Sequence, residues 1–146
     1  MNIRYYKKDD LFGVNRVLKE NFSIEKVNDD SDNNHVELVA TFDDVVVGYM
    51  LITFFNDFVT NDVISHFDYV CVLKKYRNKG IGRAMLEMAI DLAKGRRAKY
   101  IELTSSWFRK EARSLYNDLG FIIRDSDIFR KELIWLLTLL IKRGLV

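Results

Sequence analysis

The chain has 146 residues, 49% of them hydrophobic, and its 23 Lys and Arg residues nearly balance 21 Asp and Glu residues. This length is enough for one core and too short for two ordinary domains. The net charge of +2 gives no reason to expect a nucleic acid or an anionic membrane as a partner. No apolar run reaches the roughly 18 to 20 residues that span a bilayer. With one cysteine and no apolar signal segment, we expect a soluble protein of the reducing cytoplasm.

The first half of the chain is predicted to contain one helix and four strands. NIRYY predicts a short strand. Two runs rich in β-branched and aromatic residues, VELVATF and VVVGYMLITFF, flank Asp43 and Asp44 and predict an antiparallel hairpin. Residues 63–73 predict a further strand, whose near-continuous apolar content indicates burial on both faces. The helix between the first two strands is predicted from apolar residues at helical spacing, namely Leu11, Val14, Leu18 and Phe22.

The second half begins with a β-α-β unit. Apolar residues from Ile81 to Leu92 recur on one helical face, and Gly95 ends the predicted helix. KYIELTS then predicts a strand parallel to the one before the helix. A third helix starting near Trp107 is predicted to end at Gly120, and two short strands, FIIR and DIFRKEL, come after it. The fold class is α/β (α+β), a mixed and mostly antiparallel sheet with a parallel central strand pair and helices on both faces.

The domain is predicted to span residues 1–133, and residues 134–146 form an apolar carboxyl-terminal extension. Large apolar side chains crowd this extension, IWLLTLLIKRGLV, and leaving them in water would create an aggregation-prone patch. We expect the extension to be buried either against the domain or in a homodimer contact, and the sequence leaves both open.

Residues 76–86, YRNKGIGRAML, place cations around two glycines where a helix begins. The first N–H groups of a helix have no partner within it and attract anions, and glycine lets a ligand approach the backbone closely. Arg77, Lys79 and Arg83 add full positive charges. An ordinary solvated turn has the same composition, and the residues after Gly82 fit neither a P-loop nor a dinucleotide fingerprint. The segment therefore predicts a phosphate site of another kind.

A family resemblance indicates which kind of phosphate site this is. Residues 77–82, RNKGIG, resemble the [Q/R]-x-x-G-x-[G/A] signature of the GNAT superfamily of N-acetyltransferases, and residues 112–121, ARSLYNDLGF, are similar to its A-x-x-[FL]-Y-x-x-x-G-[FY] segment. The similar order of elements extends to Leu133. One departure is Lys74, where many members carry proline. The resemblance implies transfer of an acetyl group from acetyl-CoA to an amine by direct attack in a ternary complex.

The resemblance also implies which residues bind acetyl-CoA. It places the pyrophosphate on the backbone of the glycine-rich loop, and it lays the pantetheine arm along the fourth predicted strand. Ser106, after the fifth strand, is carried over as a small polar contact to the arm, although Ser105 or Ser106 could equally cap the next helix. The expected cofactor-binding residues are Val70, Val72, Arg77, Asn78, Lys79, Gly80, Ile81, Gly82, Arg83 and Ser106.

Amine attack on a thioester needs a base and an acid. The resemblance assigns the acid to Tyr116, for which a core position is the alternative reading. His66, Asp68 and Val70 are spaced by two, so they are expected to share one face of their strand. Histidine suits a general base at neutral pH, with Asp68 to orient it or to hold the substrate cation. Whether His66, Asp68 or a water is the base stays open, and we expect no metal.

The expected function is N-acetylation of a small-molecule primary amine. A protein or peptide N-acetyltransferase is an alternative, because it would use the same cofactor site with an open groove. A non-catalytic acyl-CoA-binding sensor is another, since it would keep RNKGIG without the chemistry of Tyr116. The acceptor amine cannot be named, because one fold serves many substrates in this superfamily.

Overall fold

A computed structural model describes residues 1–28, 30 and 32–133 of the chain. The elements in chain order are β1 (Asn2–Tyr5), α1 (Leu11–Phe22), β2 (His35–Phe42), β3 (Val45–Asn56), β4 (Val63–Val72), α2 (Ile81–Gly95), β5 (Tyr100–Leu103) and α3 (Lys110–Asp118). Short 3-10 turns at Lys8–Asp10 and Lys74–Tyr76 precede α1 and follow β4. The chain divides into two compact units, Met1–Leu115 and Tyr116–Val146.

The strands form one mixed sheet in the order β1-β2-β3-β4-β5. The pairs from β1 to β4 are antiparallel, and β4 pairs with β5 in parallel, as the β-α-β pattern predicts. The predicted hairpin of β2 and β3 is confirmed. Its two turn residues, Asp43 and Asp44, have φ of 48° and 61°, which is the geometry of a type I′ turn that aspartate tolerates.

The two last predicted strands are absent, since residues 121–133 form neither strand nor helix. The parallel pair therefore lies at one edge of the described sheet rather than at its centre. Short strands are stable only against a sheet edge or a hydrophobic face. The large apolar side chains along this segment are mostly exposed, so it buries no hydrophobic face of its own; they are Ile122, Ile123, Ile128 and Phe129.

Helices cover both faces of the sheet. A Cβ built on Gly48 of β3 would lie 2.9 Å from Met85 Sδ, so α2 packs directly on that face. A Cβ on Gly13 of α1 would lie 2.7 Å from Val46 Cβ, whose side chain belongs to the other face. Burial of each large side chain in these layers contributes about 1.5–3 kcal/mol. The largest fully buried side chains are Phe67, Leu38, Met50, Ile52, Ile81, Met85 and Leu86.

The predicted extension of residues 134–146 lies outside the described residues, and so does its predicted dimer contact. Among the described helices, none is both long enough and apolar enough to span a membrane.

Candidate functional site

Strand β4 has two halves that differ in their neighbours. Residues 64–67 pair with β3 on one edge and with Tyr100–Leu103 of β5 on the other, and we call them the two-sided half. Residues 68–72 pair with β3 alone in the described part of the chain, and we call them the one-sided half. Leu73 N–H donates to Val47 O at 2.8 Å, so the polar groups of Val72 point to the edge that β5 has left.

A β-bulge marks the one-sided half. On β3, Leu51 and Tyr49 are two residues apart. Their partners on β4, Asp68 and Cys71, are three residues apart. The bulged strand therefore contains one extra residue at this point. Tyr69 takes up the bend with φ of 52°, an uncommon conformation for a bulky residue.

Because of the bulge, the prediction that His66, Asp68 and Val70 share one face of the strand is only partly right. His66 and Asp68 do share a face, since their partners on β3, Thr53 and Leu51, are two residues apart. The prediction that Val70 continues this face is wrong, because the extra residue gives that place to Cys71. The two candidate bases therefore lie together, while Val70 is presented differently from both.

His66 and Asp68 form a pair that a substrate can reach. The distance from His66 Nε2 to Asp68 Oδ1 is 3.4 Å, and their side chains are 30% and 39% exposed. A carboxylate at this distance can orient an imidazole or hold a cation beside it. The arrangement suits proton removal from an ammonium group.

The glycine-rich loop presents N–H groups at the start of α2. The first helical hydrogen bond runs from Ala84 N–H to Gly80 O at 3.0 Å, so the N–H groups of Ile81 and Gly82 have no acceptor in the helix. Gly80 has φ of 77°, a conformation that glycine adopts without strain. Asn78, with φ of 59°, also lies in the left-handed region. The loop has the shape and polarity of an anion site.

The loop cations have different roles. Arg77 Nε donates to Val72 O at 3.2 Å, and its Nη2 donates to Asn21 Oδ1 at 2.8 Å. Its side chain thus ties the loop to β4 and α1. Lys79 Nζ lies 5.4 Å from the Tyr76 ring centroid, and Arg83 Nη1 lies 3.9 Å from a carboxylate oxygen one helical turn away. Lys79, which makes only ring contacts in the described part of the chain, is better placed than Arg77 to meet an anion.

Two adjacent serines follow β5 and differ in burial. Ser106 is exposed, and its carbonyl oxygen accepts from Arg109 N–H at 3.1 Å. Ser105 Oγ is buried and has no hydrogen-bond partner among the described residues. An unpaired buried hydroxyl costs about 1–3 kcal/mol, so Ser105 is the better candidate for a ligand contact. Neither serine caps α3, which begins at Lys110 rather than near Trp107.

Arg109 is a residue that the sequence did not single out. Its Nη2 donates to Val70 O at 3.3 Å, and its guanidinium carbon lies 5.3 Å from the Phe22 ring centroid. Burial raises the pKa of the Cys71 thiol to about 12, and the positive charges of Arg109 and Arg77 oppose this rise. A positive charge therefore stands beside the one-sided half of β4.

Tyr116 begins the second unit and lies on α3. Its side chain is buried, and its ring centroid is 6.0 Å from that of Phe121 with an interplanar angle of 64°. Burial of this kind fits a core tyrosine as well as a catalytic one, so its predicted role as the acid stays a prediction. No group of three or more potential metal ligands occurs among the described residues.

A family comparison identifies the domain as a whole. Residues 4–121 match the model of the acetyltransferase (GNAT) family. No curated protein matches the chain.

Solved structures share this fold at low sequence identity. A putative acetyltransferase from Agrobacterium tumefaciens superposes with a TM-score of 0.79 at 17% identity, covering 90% of this chain and 100% of the other. A glucosamine-6-phosphate N-acetyltransferase from Arabidopsis thaliana gives 0.77 at 17% identity, covering 89% and 97%. A ribosomal-protein-alanine N-acetyltransferase from Brucella melitensis gives 0.75 at 21% identity, covering 90% and 98%. At these identities the likeness shows the fold alone.

Proposed function

The chain belongs to the acetyltransferase (GNAT) family, and on that premise we propose that it transfers the acetyl group of acetyl-CoA to the primary amine of a small molecule. One observation carries the proposal: β4 loses its neighbour β5 after Phe67 and leads directly into a loop with outward N–H groups at the start of α2. An extended arm with a phosphate at its end suits such a surface.

The residues present fit acetyl-CoA, which when bound supplies an acetyl group activated as a thioester. We assign its pyrophosphate to the N–H groups that begin α2, with Lys79 and Arg83 adding charge. Since Val70 O and Val72 O already accept bonds from Arg109 and Arg77, we assign the N–H groups of these two valines to the pantetheine arm. Ser105 replaces Ser106 as the side chain that contacts the arm, because its buried hydroxyl lacks a partner among the described residues.

The chain also offers groups for the two proton transfers. We assign removal of the ammonium proton to His66 or Asp68, which stand 3.4 Å apart and are reachable from solvent. We assign protonation of the departing sulfur to Tyr116, as the family resemblance implies. A general acid and a general base each contribute roughly 100-fold to 10,000-fold to such reactions.

A protein or peptide N-acetyltransferase is the second candidate. The structural likeness favours neither acceptor class, because the sugar-phosphate enzyme and the ribosomal-protein enzyme superpose with TM-scores of 0.77 and 0.75. A non-catalytic acyl-CoA sensor is the third candidate. We prefer an enzyme because His66 and Asp68 form an accessible pair that a sensor would not need.

Calorimetric titration with acetyl-CoA tests the cofactor site. We expect binding to the wild type and its loss in Gly82→Glu, which puts a negative charge where the pyrophosphate is assigned. The Cβ at this position would meet only Leu115 Cδ2, at 3.4 Å, so the variant can fold. Gly95→Glu, at the other end of α2 with nothing within 4 Å, is the matched control and should bind like the wild type. Equal binding by all three proteins would refute the assigned site.

Release of CoA thiol with panels of amines and peptides then tests turnover. Tyr116→Phe should lower turnover while sparing acetyl-CoA affinity, because it removes only the proton donor. Binding without turnover on any acceptor would favour the sensor.

We also propose that the protein is cytoplasmic and that it forms a homodimer. A single buried cysteine suits a reducing compartment, and the apolar residues 134–146 suit a contact between copies. Sedimentation of a chain ending at Leu133 tests the dimer, since an unchanged oligomeric state would exclude the extension as the contact.

A further inference from the structure

The guanidinium of Arg109 lies at the bulge in the one-sided half of β4. It is anchored on the strand by the hydrogen bond from Nη2 to Val70 O, at 3.3 Å, inside the bulge. Arginine carries donors on all three nitrogens, and one bond to a carbonyl leaves most of them for another acceptor.

Aromatic contacts fix the side of the strand on which this charge lies. The guanidinium carbon is 5.3 Å from the ring centroid of Phe22, the last residue of α1. The same ring meets Tyr69 edge-on, with centroids 5.7 Å apart and an interplanar angle of 81°. Arg109 is therefore held by α1 and by the bulge together. Its side chain is partly buried, and a charge acts more strongly when it is shielded from water.

The placement of the thioester depends on the proposed function, on which this inference rests. If the arm runs from the loop back along the one-sided half of β4, its distal end reaches the bulge. It cannot pair with residues 64–67, because β5 already occupies that edge of the strand. The sulfur lies at the distal end of the arm. Arg109 is a cation that donates a hydrogen bond to the backbone of the bulge.

We propose that Arg109 is a further catalytic residue, whose guanidinium stabilises the negative charge that develops on the CoA sulfur during acetyl transfer. As the amine nitrogen bonds to the acetyl carbon, the carbon–sulfur bond breaks and its electron pair passes to sulfur. Arg109 stays protonated and donates hydrogen bonds only, while the proton that finally neutralises the sulfur comes from the assigned acid. Preorganised charge of this kind lowers the barrier without reorganisation.

A buried thiol of the chain itself, that of Cys71, lies near the same positive charge. Cys71 lies beside the bulge, and the charge of Arg109 is the largest influence that lowers the pKa of its buried thiol, ahead of Arg77. Arg77 is held by Val72 O and Asn21. The other titratable side chains on this stretch of β4 are His66, Asp68 and Tyr69, and a carboxylate would disfavour a thiolate.

The pKa of the thiol of bound CoA tests the proposal without any acceptor. CoA is bound to the protein, and its thiolate is followed by ultraviolet absorbance across a pH titration, with desulfo-CoA as the blank. In the wild type we expect the thiol pKa of bound CoA to lie about one to two units below that of free CoA. Arg109→Met should abolish this shift, and Arg109→Lys should restore part of it. Lys110→Met, which removes an exposed charge from the next residue, should behave like the wild type.

Each outcome is decisive. An unshifted or raised thiol pKa in the wild-type complex would overturn the role of Arg109, even if Arg109→Met fails to fold. An equal shift in the wild type and Arg109→Met would overturn it as well. Both results leave acetyl-CoA binding intact, whereas the absence of calorimetric binding of CoA to the wild type would overturn the proposed function itself.

Discussion

The two halves of β4 belong to one continuous strand but are used differently. In the two-sided half the backbone is engaged on both edges, and side chains such as Phe67 and Ser65 are 1% and 0% exposed. In the one-sided half the backbone edge left by β5 meets charged side chains instead, Arg109 at Val70 O and Arg77 at Val72 O. One strand thus passes from scaffold to candidate binding surface within a few residues.

The difference shows how a rigid sheet can present main chain to a ligand. A strand edge without a partner is normally a liability, because its polar groups invite pairing with any other chain. Here the neighbouring strand ends after Leu103, the bulge at Tyr69 turns the exposed edge, and cations cover its carbonyl oxygens. The first half supplies the stability that lets the second half stay open.

The largest expected effect tests whether the two-sided half of β4 contributes more to the free energy of unfolding than the one-sided half. Phe67→Ala should lower the free energy of unfolding by about 3–5 kcal/mol, because it leaves a cavity in a fully packed layer. Val70→Ala, in the one-sided half and only partly buried, should cost less than about 1 kcal/mol. Urea denaturation measures both, and equal losses would show that the two halves do not differ in this way.

Buried hydroxyls give a sharper comparison. Ser105→Ala should weaken acetyl-CoA binding about fivefold, since one hydrogen bond contributes about 1 kcal/mol. Ser65 Oγ is also buried without a partner among the described residues, but it lies in the two-sided half. Ser65→Ala should therefore leave the affinity unchanged in the same calorimetric experiment, as should Ser106→Ala. The assignment of Ser105 fails if Ser106→Ala has the larger effect.

The smallest expected effect tests whether the side chain of Cys71 is buried on the face of the one-sided half, even though β5 does not cover the edge of that half. The thiol of Cys71 has its pKa raised to about 12 by burial, whereas an unfolded thiol ionises near pH 8.5. Between these values the unfolded chain loses a proton that the folded chain keeps, so stability falls as pH rises through this window. By pH 9 the loss should be about 0.8 kcal/mol.

Cys71→Ala removes this contribution and is the natural comparison. Thermal unfolding of both proteins from pH 7 to pH 9 measures the difference in slope. Identical slopes would mean that the thiol is not buried in solution.

The sequence predicted the scaffold better than the site. Apolar runs and helical spacing predicted β1 to β5 and the three helices, because burial leaves a periodic pattern. The family motifs predicted the loop from Arg77 to Arg83. The strands predicted from FIIR and DIFRKEL failed because local propensity cannot supply the sheet edge that a strand requires.

Several features of the candidate site left no signal in the sequence. A bulge adds one residue to a pairing that the sequence does not show, so Val70 was assigned to the face that Cys71 occupies. Ser105 and Ser106 are chemically identical, and only the burial of Ser105 Oγ separates them. Arg109 was overlooked because its contact with Val70 O joins residues that are 39 positions apart.

Hydrogen exchange of individual backbone amides, measured by NMR with and without acetyl-CoA, tests the central claim most directly. We predict that acetyl-CoA slows exchange at Val70, Val72 and the N–H groups of Ile81 and Gly82, while residues 64–67 exchange as before. Unchanged exchange at Val70 and Val72 in a saturated complex would contradict the claim that the one-sided half of β4 binds the cofactor.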